Sequence, residues 1–205
     1  MANQPQIDEP HRKKLLKFLL LKTTSVRCGI KPGELLRVRH CYATTNEEGF
    51  RFCLRRQDIY ETLNLSYIEL KVEARSSLAL FYNPATLSQT LTRPATRDWL
   101  VHHGYPSEAT SLDALLAVLK SHFKSTPMAH EVGLFIGYPL KDVDGFVRAR
   151  PATPLHRGLW RVYGEISESI RRMRLYSRVE QMAQTIYDST RDVRTFLART
   201  QTLPV

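Results

Sequence analysis

The amino-acid sequence predicts an α+β fold in which several helices cover a small sheet and a long amphipathic helix lies toward the C-terminus. Apolar and charged residues partly alternate from Tyr67 to Glu73, and an apolar run follows from Leu78 to Tyr82, so two strands are expected there. Apolar side chains recur at helical spacing from Leu112 to Phe123 and again from Ile166 to Tyr187. Separate helical segments around a short run of strands are typical of α+β folds.

The N-terminal part of the chain predicts a helix over His11 to Lys22, where leucines lie beside a cationic face. Pro32 disfavours helical backbone in the residue before it and therefore ends this element. The segment Glu34 to Arg39 is predicted as a short helix, with a strand as the alternative. A loop over residues 44–49 and a helix over residues 55–65 are expected to follow.

Turn residues divide the middle of the chain. Arg75 to Ser77 is expected to join the two strands as a hairpin. Helices are predicted from Pro84 to Leu91 and from Pro94 to Gly104, because proline favours the first helical turn and glycine the end. Ser111 is predicted to cap the next helix, and residues 159–163 are predicted to form a strand.

Length and composition are those of an ordinary globular protein, with 205 residues of which 42% are hydrophobic. We expect one domain over residues 11–190, a flexible N-terminus over 1–10 and a C-terminal tail over 191–205. No apolar run reaches the roughly 18 residues of a membrane span, and the first ten residues lack the pattern of a secretory signal. A cytoplasmic protein with three reduced cysteines and no metal site is therefore expected.

The net charge of +10 is concentrated at the two ends of the chain. Residues 1–31 contain seven basic and two acidic side chains, and residues 148–205 contain eleven arginines and five acids. These ends could bind nucleic acid or an acidic protein, and a solvated cationic surface is the competing interpretation. The candidate arginines for such binding are Arg171, Arg172, Arg174 and Arg178.

The most distinctive stretch is residues 130–146, HEVGLFIGYPLKDVDGF, which we call the signature segment. Gly133 and Gly137 interrupt its apolar core, so close approach of backbone or unusual dihedral angles are expected there. Pro139 is predicted to lie in the first turn of a helix, with Asp142 near its positive N-terminal end.

The signature segment resembles a bacterial family known mainly from anaerobes, the domain-of-unknown-function family 3793, whose pattern reads approximately HEIGLFLGYPxxDVxGF. Two more segments look like the same family in the same order, Gly29 to Pro32 (GIKP) and Gly158 to Tyr163 (GLWRVY). The resemblance spans roughly residues 12–180 and implies no activity. Family members often have a cysteine where this chain has Thr23, so thiol chemistry is not expected here.

His130 and Glu131 are the candidate catalytic residues, because histidine titrates near neutral pH and a neighbouring carboxylate can orient it. The alternative is that both side chains cap the preceding loop by hydrogen bonds to the backbone and take no part in catalysis. The pair is not a zinc-protease motif, since Leu134 occupies the position of the second histidine. The ligand-binding candidates are Gly133, Gly137, Tyr138, Asp142 and Tyr163. The chain contains no GxSxG, Walker A or GxGxxG motif, so the identity of any cofactor stays unknown. We expect a domain that binds a small molecule or a cofactor at the signature segment, with enzymatic activity left open.

Overall fold

The computed structural model describes residues 9–39, 62–74, 76–108, 111–148 and 153–203. The predicted loop over 44–49 and most of the predicted helix over 55–65 lie outside these residues. The described part of the chain confirms the α+β class, with a small antiparallel sheet between two groups of helices.

In the described ranges the sheet has three strands, β1 (Gly33–Arg39), β2 (Ser66–Glu73) and β3 (Ser76–Tyr82), in the antiparallel order β1-β3-β2. The predicted hairpin of β2 and β3 is confirmed. The favoured prediction of a helix over Glu34 to Arg39 is wrong, because this segment pairs along the whole of β3. The composition of a short segment does not reveal pairing with a distant strand. In the structure Leu36 and Val38, two residues apart, are both buried, which is the period of a strand.

The central strand β3 is buried over all seven of its residues. Leu78, Leu80 and Tyr82 pack into the core on one face of the sheet. Ala79 and Phe81 pack into a second core on the opposite face. A strand covered on both faces has a continuous apolar run instead of alternation, as this segment does.

Among the described residues five helices cover the first face, and those predicted from Pro84, Pro94 and Ser111 end close to the expected positions. The helix capped by Ser111 is confirmed, since the Ser111 side chain accepts a hydrogen bond from the Ala114 amide. Gly104, with φ of +90°, follows the helix that begins at Pro94. The helices are α2 (Pro84–Leu91), α3 (Pro94–His102), α4 (Leu112–Ser125), α5 (Val132–Phe135) and α6 (Leu140–Arg148).

The second face is covered by α1 (Glu9–Arg27), which extends beyond its predicted range, and by the predicted long helix α7 (Ile166–Ser189). Lys22 of α1 forms an ion pair with Glu180 of α7, so part of the N-terminal basic charge lies between two helices. The predicted C-terminal tail contains helix α8 (Val193–Gln201), whose Phe196 is fully buried. The domain limits stay a prediction.

A two-stranded hairpin, β4 (His156–Arg157) and β5 (Arg161–Val162), lies between α6 and α7. It contains a shorter strand than predicted over residues 159–163. Trp160 and Val162 anchor it through a third apolar cluster with Met173 and Tyr176 of α7. These contacts hold the hairpin against α7.

Candidate functional site

The turn at Gly137 brings the GIKP segment, the signature segment and α7 into contact. Gly137 has φ of +87°, and a Cβ atom placed there would lie 2.8 Å from both Pro32 Cδ and the Tyr176 hydroxyl oxygen. The Tyr176 hydroxyl donates a hydrogen bond of 3.1 Å to the Gly137 carbonyl. Glycine is required here both by the backbone angle and by the close approach of Pro32.

The GLWRVY segment packs on the other side of the signature segment. The rings of Tyr138 and Trp160 stack with centroids 4.5 Å apart. A Cβ atom at Gly133 would lie 2.8 Å from Val143 Cγ2, and one at Gly145 would lie 2.3 Å from Tyr163 Cβ. These small residues let α5, α6 and the hairpin approach one another closely.

The carboxylate of Asp142 is buried, with 1% of its side chain exposed. Its Oδ2 accepts hydrogen bonds from Trp160 Nε1 (2.8 Å) and Ser169 Oγ (2.5 Å). Its Oδ1 accepts from Lys141 Nζ (3.0 Å) and the Tyr163 amide (3.1 Å). Burial raises the pKa of this carboxyl, but the four hydrogen bonds outweigh burial and hold the pKa below its usual value. All four acceptor positions are used within the protein, so Asp142 positions its neighbours.

A cavity of about 420 Å³ lies over the signature segment. We call it the signature pocket. His130 and Arg161 contact the same aromatic ring of its wall: the His130 ring lies edge-on to Phe146 at 4.8 Å, and the Arg161 guanidinium lies 5.7 Å from the centre of that ring. The pocket is lined by Leu35, Met128, His130, Val132, Gly133, Ile136, Tyr138, Asp142, Val143, Phe146, Leu159, Trp160 and Arg161. Its surface is therefore mainly apolar and aromatic.

Glu131 is directed away from this pocket. Its Oε1 lies 2.5 Å from His122 Nδ1 of α4 and accepts a weak hydrogen bond of 3.4 Å from the Tyr105 hydroxyl. Burial and the nearby carboxylate raise the pKa of Tyr105, so this hydroxyl stays protonated and donates. The structure therefore separates the two candidate catalytic residues, and only His130 lines the signature pocket.

A second cavity, of about 440 Å³, lies on the opposite side of the Gly137–Tyr138 turn. We call it the polar groove. Its wall includes Thr90, Arg93, Thr96, Lys141, Arg172 and Tyr176. Arg172 donates hydrogen bonds to Glu168 Oε1 (2.7 Å) and to the Gly137 carbonyl (3.3 Å), so this arginine stabilises the turn.

The other candidate arginines, Arg171, Arg174 and Arg178, lie exposed on α7. Arg174 and Arg178 border a shallow groove with Met173, Ile170 and Leu159, which we call the arginine groove. Within the described residues, neither arginine forms an ion pair with an acidic side chain.

A sequence model of the family described as "Protein of unknown function (DUF3793)" matches residues 19–197. The chain belongs to this family. The resemblance seen in the signature segment is thus confirmed over most of the chain. Comparisons with curated proteins and with solved structures gave no match.

In this DUF3793 protein the predicted ligand-binding residues lie on both sides of the Gly137–Tyr138 turn. Gly133, Tyr138 and Asp142 line the signature pocket, while Gly137 lines the polar groove together with Tyr138. Tyr163 lies against Gly145 and Phe146, behind the pocket wall. The predicted site residues do not include Trp160, Arg161 or His122. The GLWRVY motif contains the first two, but no local spacing links His122 to Glu131.

Two further observations concern the described ranges only. No group of three or more histidine, cysteine, aspartate or glutamate side chains is arranged to hold a metal ion there. None of the helices in those ranges combines the length and the apolar character that a membrane crossing requires.

Cys28 is a free thiol whose sulfur donates to the Thr200 carbonyl.

Proposed function

We propose that this DUF3793 protein is a cytoplasmic bacterial protein that binds a small, largely apolar molecule in the signature pocket. The proposal rests on the pocket itself, which has a volume of about 420 Å³ and is lined by eight residues of the signature segment. Ligand sites typically enclose about 300–1,000 Å³, with apolar walls and a few polar groups. The signature pocket has this size and this composition.

The side chains of the wall define what the ligand would contact. Tyr138, Trp160 and Phe146 present aromatic surfaces, which favour a planar ligand. Arg161 is exposed at the rim and favours an acidic substituent on that ligand. His130 is the residue in the wall that could transfer a proton, so any catalytic step would involve His130 without Glu131.

The apolar part of the proposal is tested with the neutral fluorescent probe N-phenyl-1-naphthylamine. We expect saturable binding of one probe per chain. Leu159 lines the pocket and is 54% exposed, whereas Leu155 on the same hairpin does not line it and is 63% exposed. Leu159→Ala is expected to weaken binding by about fivefold, while Leu155→Ala leaves it unchanged. Equal effects of the two variants, or no saturation, would contradict the proposal.

The role of Arg161 is tested with 8-anilinonaphthalene-1-sulfonate, which has the same aromatic body and an added sulfonate. Arg161→Ala should weaken binding of the anionic probe by up to about fivefold and leave the neutral probe unaffected, because the lost contact is an exposed charge pair. Arg157 is also exposed on the hairpin but does not line the pocket, so Arg157→Ala is the matched control. An equal loss for both probes would exclude charge recognition by Arg161.

A second candidate function is binding of an acidic, amphipathic protein segment in the arginine groove. Arg174 and Arg178 lie beside the apolar surfaces of Met173, Ile170 and Leu159, and a partner with alternating acidic and apolar side chains complements both. A nucleic acid would cover the arginines without using the apolar floor, so the protein partner is favoured.

A labelled helical peptide with glutamates on one face and leucines on the other tests this second candidate. Fluorescence anisotropy should show binding that weakens with salt and is lost in Arg174→Ala/Arg178→Ala, whereas Arg171→Ala, which does not line the groove, binds normally. Equally tight binding of a DNA oligonucleotide of the same charge would reject the protein partner in favour of nucleic acid.

A further inference from the structure

The polar groove contains the open N-terminus of helix α3. This helix has nine residues, Pro94–His102, and its N-cap residue Arg93 makes no side-chain capping hydrogen bond. The amides of Ala95 and Thr96, in the first turn, form no hydrogen bond with any described residue. Unpaired first-turn amides give a helix N-terminus a partial positive charge and make it suited to anions.

Thr96 provides an independent sign that this end of the groove takes a ligand. Its residue surface is only 7% exposed, and it lines the groove. Its hydroxyl has no hydrogen-bond partner in the described part of the chain. The hydroxyl is therefore free to donate to, or accept from, a group bound in the groove.

The charges around the groove are mainly positive. Lys141 and Arg172 line the groove, and Glu168, the one acid among the described residues that line it, is bound by Arg172. Lys141 is engaged with Asp142 and Ser169. Arg93 is exposed and pairs with none of the described acidic residues, so its guanidinium remains available.

We propose that the polar groove binds a phosphorylated small molecule, with its phosphate at the N-terminus of α3. The Ala95 and Thr96 amides, the Thr96 hydroxyl and the Arg93 guanidinium supply donors of the kinds that bind phosphate oxygens. The groove volume of about 440 Å³ leaves room for an organic portion beside the phosphate. This site is separate from the signature pocket, and of the described residues only Tyr138 contributes to both walls.

The experiment is a titration of the full chain with inorganic phosphate, followed by ¹⁵N–¹H NMR. We expect saturable shifts of the Ala95 and Thr96 amide signals, with a dissociation constant in the millimolar range for this minimal probe. Arg93→Ala should weaken binding by about tenfold and Arg93→Lys by less, because lysine keeps the charge but loses the planar fork. Arg171→Ala is the control, since Arg171 is exposed and does not line the groove.

The other arms of the titration separate this proposal from simple salt effects. Sodium chloride at matched ionic strength should produce no saturable shift, and acetate should bind several-fold more weakly than phosphate because it has two oxygens. Equal binding of acetate would reject the phosphate class. Equal affinity of the wild type and Arg93→Ala would overturn the site itself. Binding of the naphthylamine probe in the signature pocket does not depend on any of these outcomes.

Discussion

The indole nitrogen of Trp160 donates a hydrogen bond of 2.8 Å to Oδ2 of Asp142. This bond joins the GLWRVY segment to the signature segment in the interior of the protein. It also fixes the Trp160 ring against Tyr138, where both rings line the signature pocket. The pocket wall is therefore held by a buried carboxylate that has no acceptor position left for a ligand.

Replacing Asp142 should destabilise the protein strongly. Asp142→Ala leaves the Trp160 indole, the Tyr163 amide and the Lys141 ammonium without their acceptor, so we expect a loss of about 3–5 kcal/mol in the free energy of unfolding. Asp142→Asn keeps one acceptor oxygen and should cost about 2 kcal/mol. Urea denaturation monitored by circular dichroism measures both values.

Asp144 is the matched control for Asp142. It lies on the same helix and accepts a 2.7 Å hydrogen bond from the Trp99 indole, but 26% of its side chain is exposed. Water can replace the lost partner there, so Asp144→Asn should cost about 1 kcal/mol or less. A loss at Asp144 as large as that at Asp142 would contradict the role of burial.

The contribution of Asp142 to stability should depend on pH in one direction. Its pKa in the folded protein lies below the usual value of 3.8, because the hydrogen bonds it accepts outweigh the effect of burial. The unfolded chain therefore takes up this proton first, and acid favours unfolding. The stabilisation is complete well above pH 3.8 and is lost as the pH falls through the pKa of the folded state.

This pH dependence is best measured as the difference in unfolding free energy between the wild type and Asp142→Asn. The difference should be constant from pH 7 to about pH 5 and should shrink toward pH 3. Taking the difference removes the contributions of exposed carboxylates such as Glu73 and Asp192, which titrate in both proteins. A difference that grows on acidification would contradict a lowered pKa of Asp142 in the folded protein.

How much of this fold could be predicted from sequence depended on whether the signal was local. Pro84, Pro94 and Ser111 mark helix starts through their own backbone and side-chain chemistry, and all three predictions are confirmed. The prediction of a helix over residues 34–39 is wrong because this segment becomes a strand by pairing with β3, about forty residues further along the chain.

The distinction between local and long-range signals also explains which features of the candidate site could be predicted. Gly137 was recognisable because a glycine between apolar residues signals special backbone angles, and its φ is indeed +87°. The partner of Glu131 was not recognisable, since His122 reaches it from another helix. The pocket and the groove on which the signature segment borders also depend on Arg93 and Trp160, which lie outside that segment in the sequence.

Gly137→Ala should be much more harmful than Gly104→Ala. Both glycines have positive φ, +87° and +90°, so alanine is strained by about 1–2 kcal/mol at each. At Gly104 the nearest atom to an added Cβ is 3.9 Å away, whereas at Gly137 two atoms lie at 2.8 Å. The clash should add about 1–3 kcal/mol at Gly137 alone. Chemical denaturation of the two variants measures the difference, and equal losses would contradict the close packing at Pro32.

Tyr176 should couple energetically to Gly137. Its buried hydroxyl has a raised pKa, stays protonated and donates to the Gly137 carbonyl, so Tyr176→Phe should cost about 1 kcal/mol of stability. The same hydroxyl is one of the two atoms that an alanine at residue 137 would meet. Removing it therefore relieves part of the clash, and Gly137→Ala should cost less in the Tyr176→Phe background than in the wild type. A double-mutant cycle measures this coupling, expected to be about 0.5–1 kcal/mol. Additive losses would show that Pro32 alone accounts for the steric constraint at this turn.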